Sequence, residues 1–339
     1  MNIISESRFK ELVTGFKTLK PLLVVGDVGL DKYTYGKVER ISPEAPVPIL
    51  RVTKEWKKLG LAANISHNLK TLGVDSTLCG IVGEDRNADL IEGLLEDNGL
   101  STWGIVRCED RTTTFKERVT TNTQQICRVD YESEKEMDLE AEEKFIDRVI
   151  DLTSQHSGMI IEDYGKGLFT RNSLEQFLKK SKDDNLFVAI DPSRKARPLD
   201  YKGATLLKPN WLEALALCEG LGYREKKCES IANILVEKLD LKMLVITLGG
   251  QGMALVDTVQ DGGNFKLIPT METDVFDVSG AGDTAISLLT SGLLVGASLE
   301  EAAWLANCGS GVVVGKKGTA TVNVDELFSF HTKLLSQFN

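Results

Sequence analysis

Short apolar runs alternate with helix-like segments along most of the chain, and this rhythm constrains the fold more than any single motif. Runs rich in Val, Ile and Leu occupy 22–25, 77–82, 159–161, 187–190, 206–207 and 244–247. Their apolar residues are consecutive rather than alternating, which is what a strand covered on both faces requires. Between the runs lie helical patterns. Leu61, Ile65, Leu69 and Leu72 fall on one stripe at helical spacing. Similar patterns cover 88–97, 141–153, 173–182, 211–218, 231–239 and 284–294, and a small-residue helix covers 302–314. Alternation of this kind predicts an α/β fold with a doubly wound, mostly parallel central sheet and helices on both faces.

Two regions break the rhythm. Residues 46–53 (PVPILRVT) and 112–131 read as strands with no helix between them. In the second, 113–119 and 126–130 flank a polar turn at 120–123, as in a hairpin. Together they predict a small β sheet standing off the core. Such a sheet serves either as a lid that closes a site against water or as a plain edge hairpin.

Bulk features narrow the function classes. The 339 residues carry a net charge of −10, so a chain that coats nucleic acid is not expected. Charged side chains at Glu6, Arg8, Lys10 and Glu11 interrupt any export signal. The longest apolar stretch, 285–299, contains Ser287, Thr290, Ser291 and Gly292 and falls short of the ~20 residues needed to span a bilayer. No membrane partner is expected. Six widely spaced cysteines with no CxxC suit a reducing, cytoplasmic setting. The three histidines, His67, His156 and His331, are too dispersed to form a His-rich metal site.

The 30 glycines include several clustered ahead of helices or after strands. The strongest cluster is Asp277-Val-Ser-Gly-Ala-Gly-Asp283, opening an apolar helix. Gly280, Ala281 and Gly282 present little side-chain bulk, so their amides at a helix N-terminus form an anion site. Asp283 then falls in the first turn, where a carboxylate can accept a proton from an attacking hydroxyl while the amides hold developing negative charge. An isolated GxGD is more often only a helix cap with a dipole-matched Asp, but the seven-residue string opening a long apolar helix is more specific. A second cluster, Thr247-Leu-Gly-Gly-Gln-Gly252, follows the strand LVIT, which is where α/β proteins bind nucleotides; alone it reads as well as a β-turn. A third, 318–322, reads as a turn and a short strand. The run from Gly311 to Lys317 is one residue short of a P-loop and lacks its Ser or Thr, and Gly26-Asp-Val-Gly29 is not a dinucleotide fingerprint.

Carboxylates and amides gather at expected strand ends: Asp27 and Asp31 after the first strand, Glu162 and Asp163 after 159–161, and Asn64 opening a helix after Gly60. Such groups suit the hydroxyls of a polyol, although each alone is also an ordinary solvated turn residue. In Lys208-Pro-Asn210 with Glu213, the Asn and Glu stand three apart at a helix start, where they order Mg²⁺-bound water or cap the helix.

These strings resemble the ribokinase-like sugar kinases (the phosphofructokinase-B family) over nearly the whole chain. The resemblance rests on 277–283, 247–252, Asn210 with Glu213, and Gly60 with Asn64. Four further strings, 26–36, 40–48, 163–167 and 312–322, are similar to the branch that phosphorylates D-glycero-β-D-manno-heptose 7-phosphate at its anomeric hydroxyl, giving the 1,7-bisphosphate of ADP-heptose and lipopolysaccharide core synthesis.

The resemblance implies one α/β domain over 1–339, with a β lid built from 33–58 and 111–131 that joins two copies as a homodimer. It implies Asp283 as catalytic base beside the amides of Gly280, Ala281 and Gly282. Thr247, Gly249, Gly252, Asn307, Lys208 and Asn210 would hold ATP, and Glu213 would act on Mg²⁺ through water; a monovalent cation is a further ion to test. Asp31, Gly60, Asn64 and Asp163 would hold the sugar, with Lys166, Arg118 and Arg128 for its phosphate. Leu61 departs from the branch pattern, which has glycine there, and Glu162 stands where a small Ser is usual. Many relatives also carry a nucleotidyltransferase with an HxGH motif, for which these histidines are too far apart. Two other readings remain beside the heptose one: a kinase for another sugar or sugar phosphate, and a non-catalytic sugar- or nucleotide-binding regulator.

Overall fold

The computed structural model describes residues 4–122, 124–270 and 275–338. In chain order its strands are β1 (Leu22–Gly26), β2 (Val28–Ile41), β3 (Pro48–Leu61), β4 (Ser76–Gly83), β5 (Ile105–Cys108), β6 (Thr114–Thr120), β7 (Gln125–Tyr131), β8 (Gly158–Glu162), β9 (Phe187–Asp191), β10 (Leu206–Leu207), β11 (Met243–Thr247), β12 (Met253–Asp257) and β13 (Phe265–Ile268). The helices are α1 (Glu6–Gly15), α2 (Ala62–Thr71), α3 (Arg86–Asp97), α4 (Leu139–Leu152), α5 (Arg171–Asp183), α6 (Trp211–Gly220), α7 (Cys228–Leu239), α8 (Ala281–Leu294), α9 (Leu299–Val314) and α10 (Val324–Phe338). Among the described residues no helix is long and apolar enough to cross a membrane.

The main sheet has the order β13-β12-β11-β10-β9-β8-β1-β4-β5. Neighbours are parallel from β11 to β5, and β12 and β13 add an antiparallel edge. Side chains of a strand alternate between its faces. In β1, Leu22 and Val24 enter one core with Phe9, Ile65, Leu288 and Trp304, while Leu23 and Val25 enter the other with Phe145, Phe177, Leu217 and Leu235. Consecutive apolar positions therefore feed two cores, as the sequence predicts, and the fold is the expected ribokinase-like α/β architecture. β1 pairs with β4 on one side and β8 on the other. The chain reverses direction across the sheet between these strands, and ligands of open α/β sheets bind outside the strand ends at such a point.

The second sheet has the order β3-β2-β6-β7. The hairpin expected in 112–131 is β6 and β7; Thr123, in its turn, lies outside the described residues. Residues 46–53 do not stand alone. Residues 48–53 belong to β3, paired along its length with β2, a strand that the apolar pattern did not mark although the lid expected over 33–58 takes in most of it. Asp31 therefore lies within β2 rather than in a turn after β1, and only Asp27 separates the two strands. Residues 318–322 form no strand. Their backbone is held by side chains instead: Gly318 donates to Asp277, Thr319 donates to the Tyr33 hydroxyl, Thr319 O accepts from Lys58, and Val322 O accepts from Thr71.

Candidate active site

The strand ends at the reversal point carry the charged groups of the site. Asp27 follows β1, Glu162 ends β8, Asp191 ends β9, Lys208 follows β10 and Thr247 ends β11. Above them α8 begins. Its N-cap, Gly280, has φ +83, and a Cβ there would lie 2.9 Å from Asn64 Nδ2. Glycine is the residue that satisfies both the backbone and the space. Asp277 accepts from the amides of Ser279 and Gly318, tying this loop to the segment ahead of α10. Among the described residues the amides of Gly280 and Gly282 have no protein acceptor, whereas that of Ala281 donates to Val278 O. Two of the three expected amides thus point free at a helix N-terminus.

Asp283 lies one residue beyond Gly282 and is 6% exposed. Its Oδ2 accepts from Asn64 Nδ2 at 2.6 Å, and its Oδ1 accepts from the Tyr164 hydroxyl at 3.3 Å. Burial pushes its carboxyl up to about 6; the Asn64 hydrogen bond opposes that rise and the Asp191 charge adds to it. The residue is ionised at neutral pH yet basic enough to take a proton.

Lys208, 2% exposed, donates to Asp191 Oδ2 at 2.6 Å. Burial works against its charge, but the Asp191 and Glu162 carboxylates outweigh burial and the net direction is up. A Cβ on Gly282 would lie 3.8 Å from Lys208 Nζ, so the ammonium lies beneath the start of α8. The adjoining Glu162 is forced well above the usual carboxylate range by burial and by Asp191 and Asp283. Its Oε2 is buried and without a hydrogen-bond partner. Asp163 is pushed up by burial while accepting from the Tyr201 hydroxyl at 2.7 Å, and Asp27 is pushed up to about 7 by burial and then by Asp163.

Glu162, Asp163, Tyr164, Asp191, Lys208 and Asp283 line a cleft of about 590 Å³. Asp163, Lys208, Asn210, Glu213, Thr247, Gly249, Gly280, Gly282 and Asp283 were all expected at the site and all border it. Asn210 and Glu213 form a reciprocal capping box at the start of α6. Among the described residues no three His, Cys, Asp or Glu side chains converge to hold a metal ion. A second cluster lies on the small sheet. Asp31 accepts from Arg118 Nη1 at 2.6 Å and from Thr319 Oγ1 at 2.6 Å, and a Cβ on Gly60 would lie 3.0 Å from its Oδ2.

A buried carboxylate between two donors, two free amides and a buried ammonium together can take a proton from a hydroxyl and stabilise a transferring phosphoryl group. The family model of pfkB family carbohydrate kinases matches residues 22–326. The chain belongs to this family. The family is one of carbohydrate kinases. It is 37% identical over 306 residues to the bifunctional protein HldE of Citrifermentans bemidjiense, covering 90% of this chain and 62% of that one. It is 38% identical over 307 residues to HldE of Geotalea uraniireducens, covering 91% and 62%. The chain thus spans 62% of the length of these two curated relatives. Among solved structures, Escherichia coli phosphofructokinase-2 in complex with potassium superposes with a TM-score of 0.75 at 20% identity, over 94% of this chain and 99% of that one. Ribokinase of Arabidopsis thaliana complexed with ribose and ATP gives a TM-score of 0.71 at 19% identity, over 92% and 99%.

Not every expected residue of this pfkB-family kinase borders the cleft. Asn64 does not border it, but donates to Asp283 there and has its Nδ2 against Gly280. Gly252 turns the chain at φ +98, where a Cβ would strike Ile268 O. Asn307 donates to Pro269 O at 3.2 Å. Lys166 pairs with Glu132 at 2.6 Å, and Arg128, across the sheet from Arg118, pairs with Asp130. Tyr164, Asp191 and Thr319 were missed. Tyr164 and Thr319 stand inside strings that carried the resemblance, and Asp191 is a charged residue directly after an apolar strand run.

Proposed function

We propose that this pfkB-family kinase transfers the γ-phosphoryl group of ATP to the anomeric hydroxyl of D-glycero-β-D-manno-heptose 7-phosphate. The single observation that carries the reaction type is Asp283, buried and held between Asn64 and Tyr164 beside the free amides of Gly280 and Gly282. The substrate reading is supported by the four branch-like strings and by relatives named HldE at 37–38% identity.

In this reading Asp283 accepts the hydroxyl proton as the new O–P bond forms and the bond to ADP breaks. The Gly280 and Gly282 amides and Lys208 neutralise charge on the transferring group. Thr247 and Gly249, which border the cleft, hold the nucleotide. Mg²⁺ keeps several waters when it binds phosphates, so Glu213 fits a role acting through such a water better than direct ligation. When bound, the ion would shield phosphate charge. Asp31, Gly60 and Asn64 hold the sugar. The small sheet acts as a lid and as a dimer contact, a role that its exposed Ile41, Val52 and Tyr131 support.

A coupled assay for ADP formation across heptose 7-phosphate, fructose phosphates, ribose and hexoses tests the reading. Heptose 7-phosphate should give the highest kcat/KM. A higher value for another sugar would assign that sugar instead, and ATP binding without turnover on any sugar would favour a regulator.

A further inference from the structure

A second cavity, of about 340 Å³, opens between the ends of β3, α2 and α3 and the segment ahead of α10, and shares no lining residue with the phosphoryl-transfer cleft. Lys57, Lys58, His67 and Lys316 line it together with Asn98 and Thr321, and none of its lining residues is acidic. Lys58 is half-buried, and its pKa is lowered by burial and then by Lys316, against the opposing charges of Asp277 and Asp31, which lie outside the cavity lining. Among the described residues its ammonium meets only the carbonyls of Thr319 and Lys317. Among the described residues Lys57 makes no ion pair within 4 Å, and His67, held largely neutral by burial and by Lys58, has no hydrogen-bond partner. Lys316 has one acidic partner, Glu326, outside the cavity lining. Asn98 uses its Nδ2 on Leu94 O, so its Oδ1 remains available to accept from a ligand hydroxyl.

Cations gathered in a partly desolvated space repel one another unless an anion joins them. We propose that this cavity is a binding site for a small phosphate monoester, distinct from the site of phosphoryl transfer. Lys57, Lys58 and Lys316 contact the phosphate oxygens, neutral His67 donates one further hydrogen bond, and the volume leaves room for a polyol body. Asn64 borders the cavity and also donates to Asp283, so an occupant there adjoins the residue that holds the base.

The test is calorimetric titration of the intact chain, in phosphate-free buffer, with inorganic phosphate and separately with glucose 6-phosphate. Saturable binding that weakens with added salt is expected. Lys57→Gln/His67→Gln and Lys57→Gln/Lys316→Gln should each lose affinity about tenfold or more. The melting temperature of Lys57→Gln/His67→Gln should stay near wild type, because among the described residues neither side chain holds a protein partner, whereas Lys57→Gln/Lys316→Gln also gives up the Glu326 ion pair. Lys57→Arg/Lys316→Arg should retain binding. No saturable binding by the wild-type chain, or equal affinity in the Gln variants, would overturn the proposal. A matching rise in KM for the phosphorylated acceptor in those variants would assign the cavity to the substrate's own phosphate and overturn a separate site.

Discussion

Asn64 Nδ2 lies 2.6 Å from Asp283 Oδ2, across 219 residues of sequence. Asn64 stands in the first turn of α2, directly after the strand by which the small sheet returns to the core. The proposed sugar side and the buried carboxylate are thus joined by one charge-assisted hydrogen bond, with Tyr164 approaching from the other oxygen.

Removing that bond should move the pH profile. Burial raises the Asp283 carboxyl to about 6, and the Asn64 bond is the leading influence that restrains it. Asn64→Ala should raise it further, so the acid limb of kcat/KM against pH shifts to higher pH while the plateau persists at a reduced level. An acid limb that does not move would contradict this role.

Asp283 should also cost stability at neutral pH. Its folded pKa of about 6 exceeds the reference 3.8, so the folded state binds more protons between these values and stability falls as pH rises through them. The difference corresponds to about 3 kcal/mol, an upper bound. Asp283→Asn should therefore melt above wild type at pH 8, with the gap closing toward pH 4. Thermal melts across that range check it.

Leu61 adopts φ 58 and ψ −140 at the start of α2, a conformation that costs a non-glycine residue about 1–3 kcal/mol. Its buried side chain returns about 1.5–3 kcal/mol. Leu61→Gly loses both contributions, whereas Leu61→Ala loses the packing and keeps the strain. The Gly variant should be at least as stable as the Ala variant in urea denaturation; the reverse order would refute strain here.

Lys208→Met leaves Asp191 buried without its cation. The loss should be about 3–5 kcal/mol of stability. Lys208→Met/Asp191→Leu should recover much of that stability without recovering turnover. Chemical denaturation and kcat on the two variants separate the structural from the catalytic part.

The α/β architecture was legible because runs buried on both faces have a distinctive composition. The start of α8 with its free amides was legible because 280–282 has almost no side-chain bulk. β2 was hidden because its Asp31, Lys32, Lys37 and Arg40 break the apolar pattern, and its buried end is explained only by long-range pairing with β3 and β6. β5 and β13 are each four residues long, too short for periodicity to register. Asp191 with Lys208, and Asn64 with Asp283, are contacts between distant segments, and local pattern carries no record of such pairs. Leu61 was visible as a departure, but its left-handed backbone was not.

The most direct test of the account is ADP formation by wild type and Asp283→Asn with heptose 7-phosphate as acceptor, alongside melting curves. The account predicts that kcat falls about 10²–10⁴-fold in a variant that remains folded. A folded Asp283→Asn variant with near-wild-type kcat would contradict it.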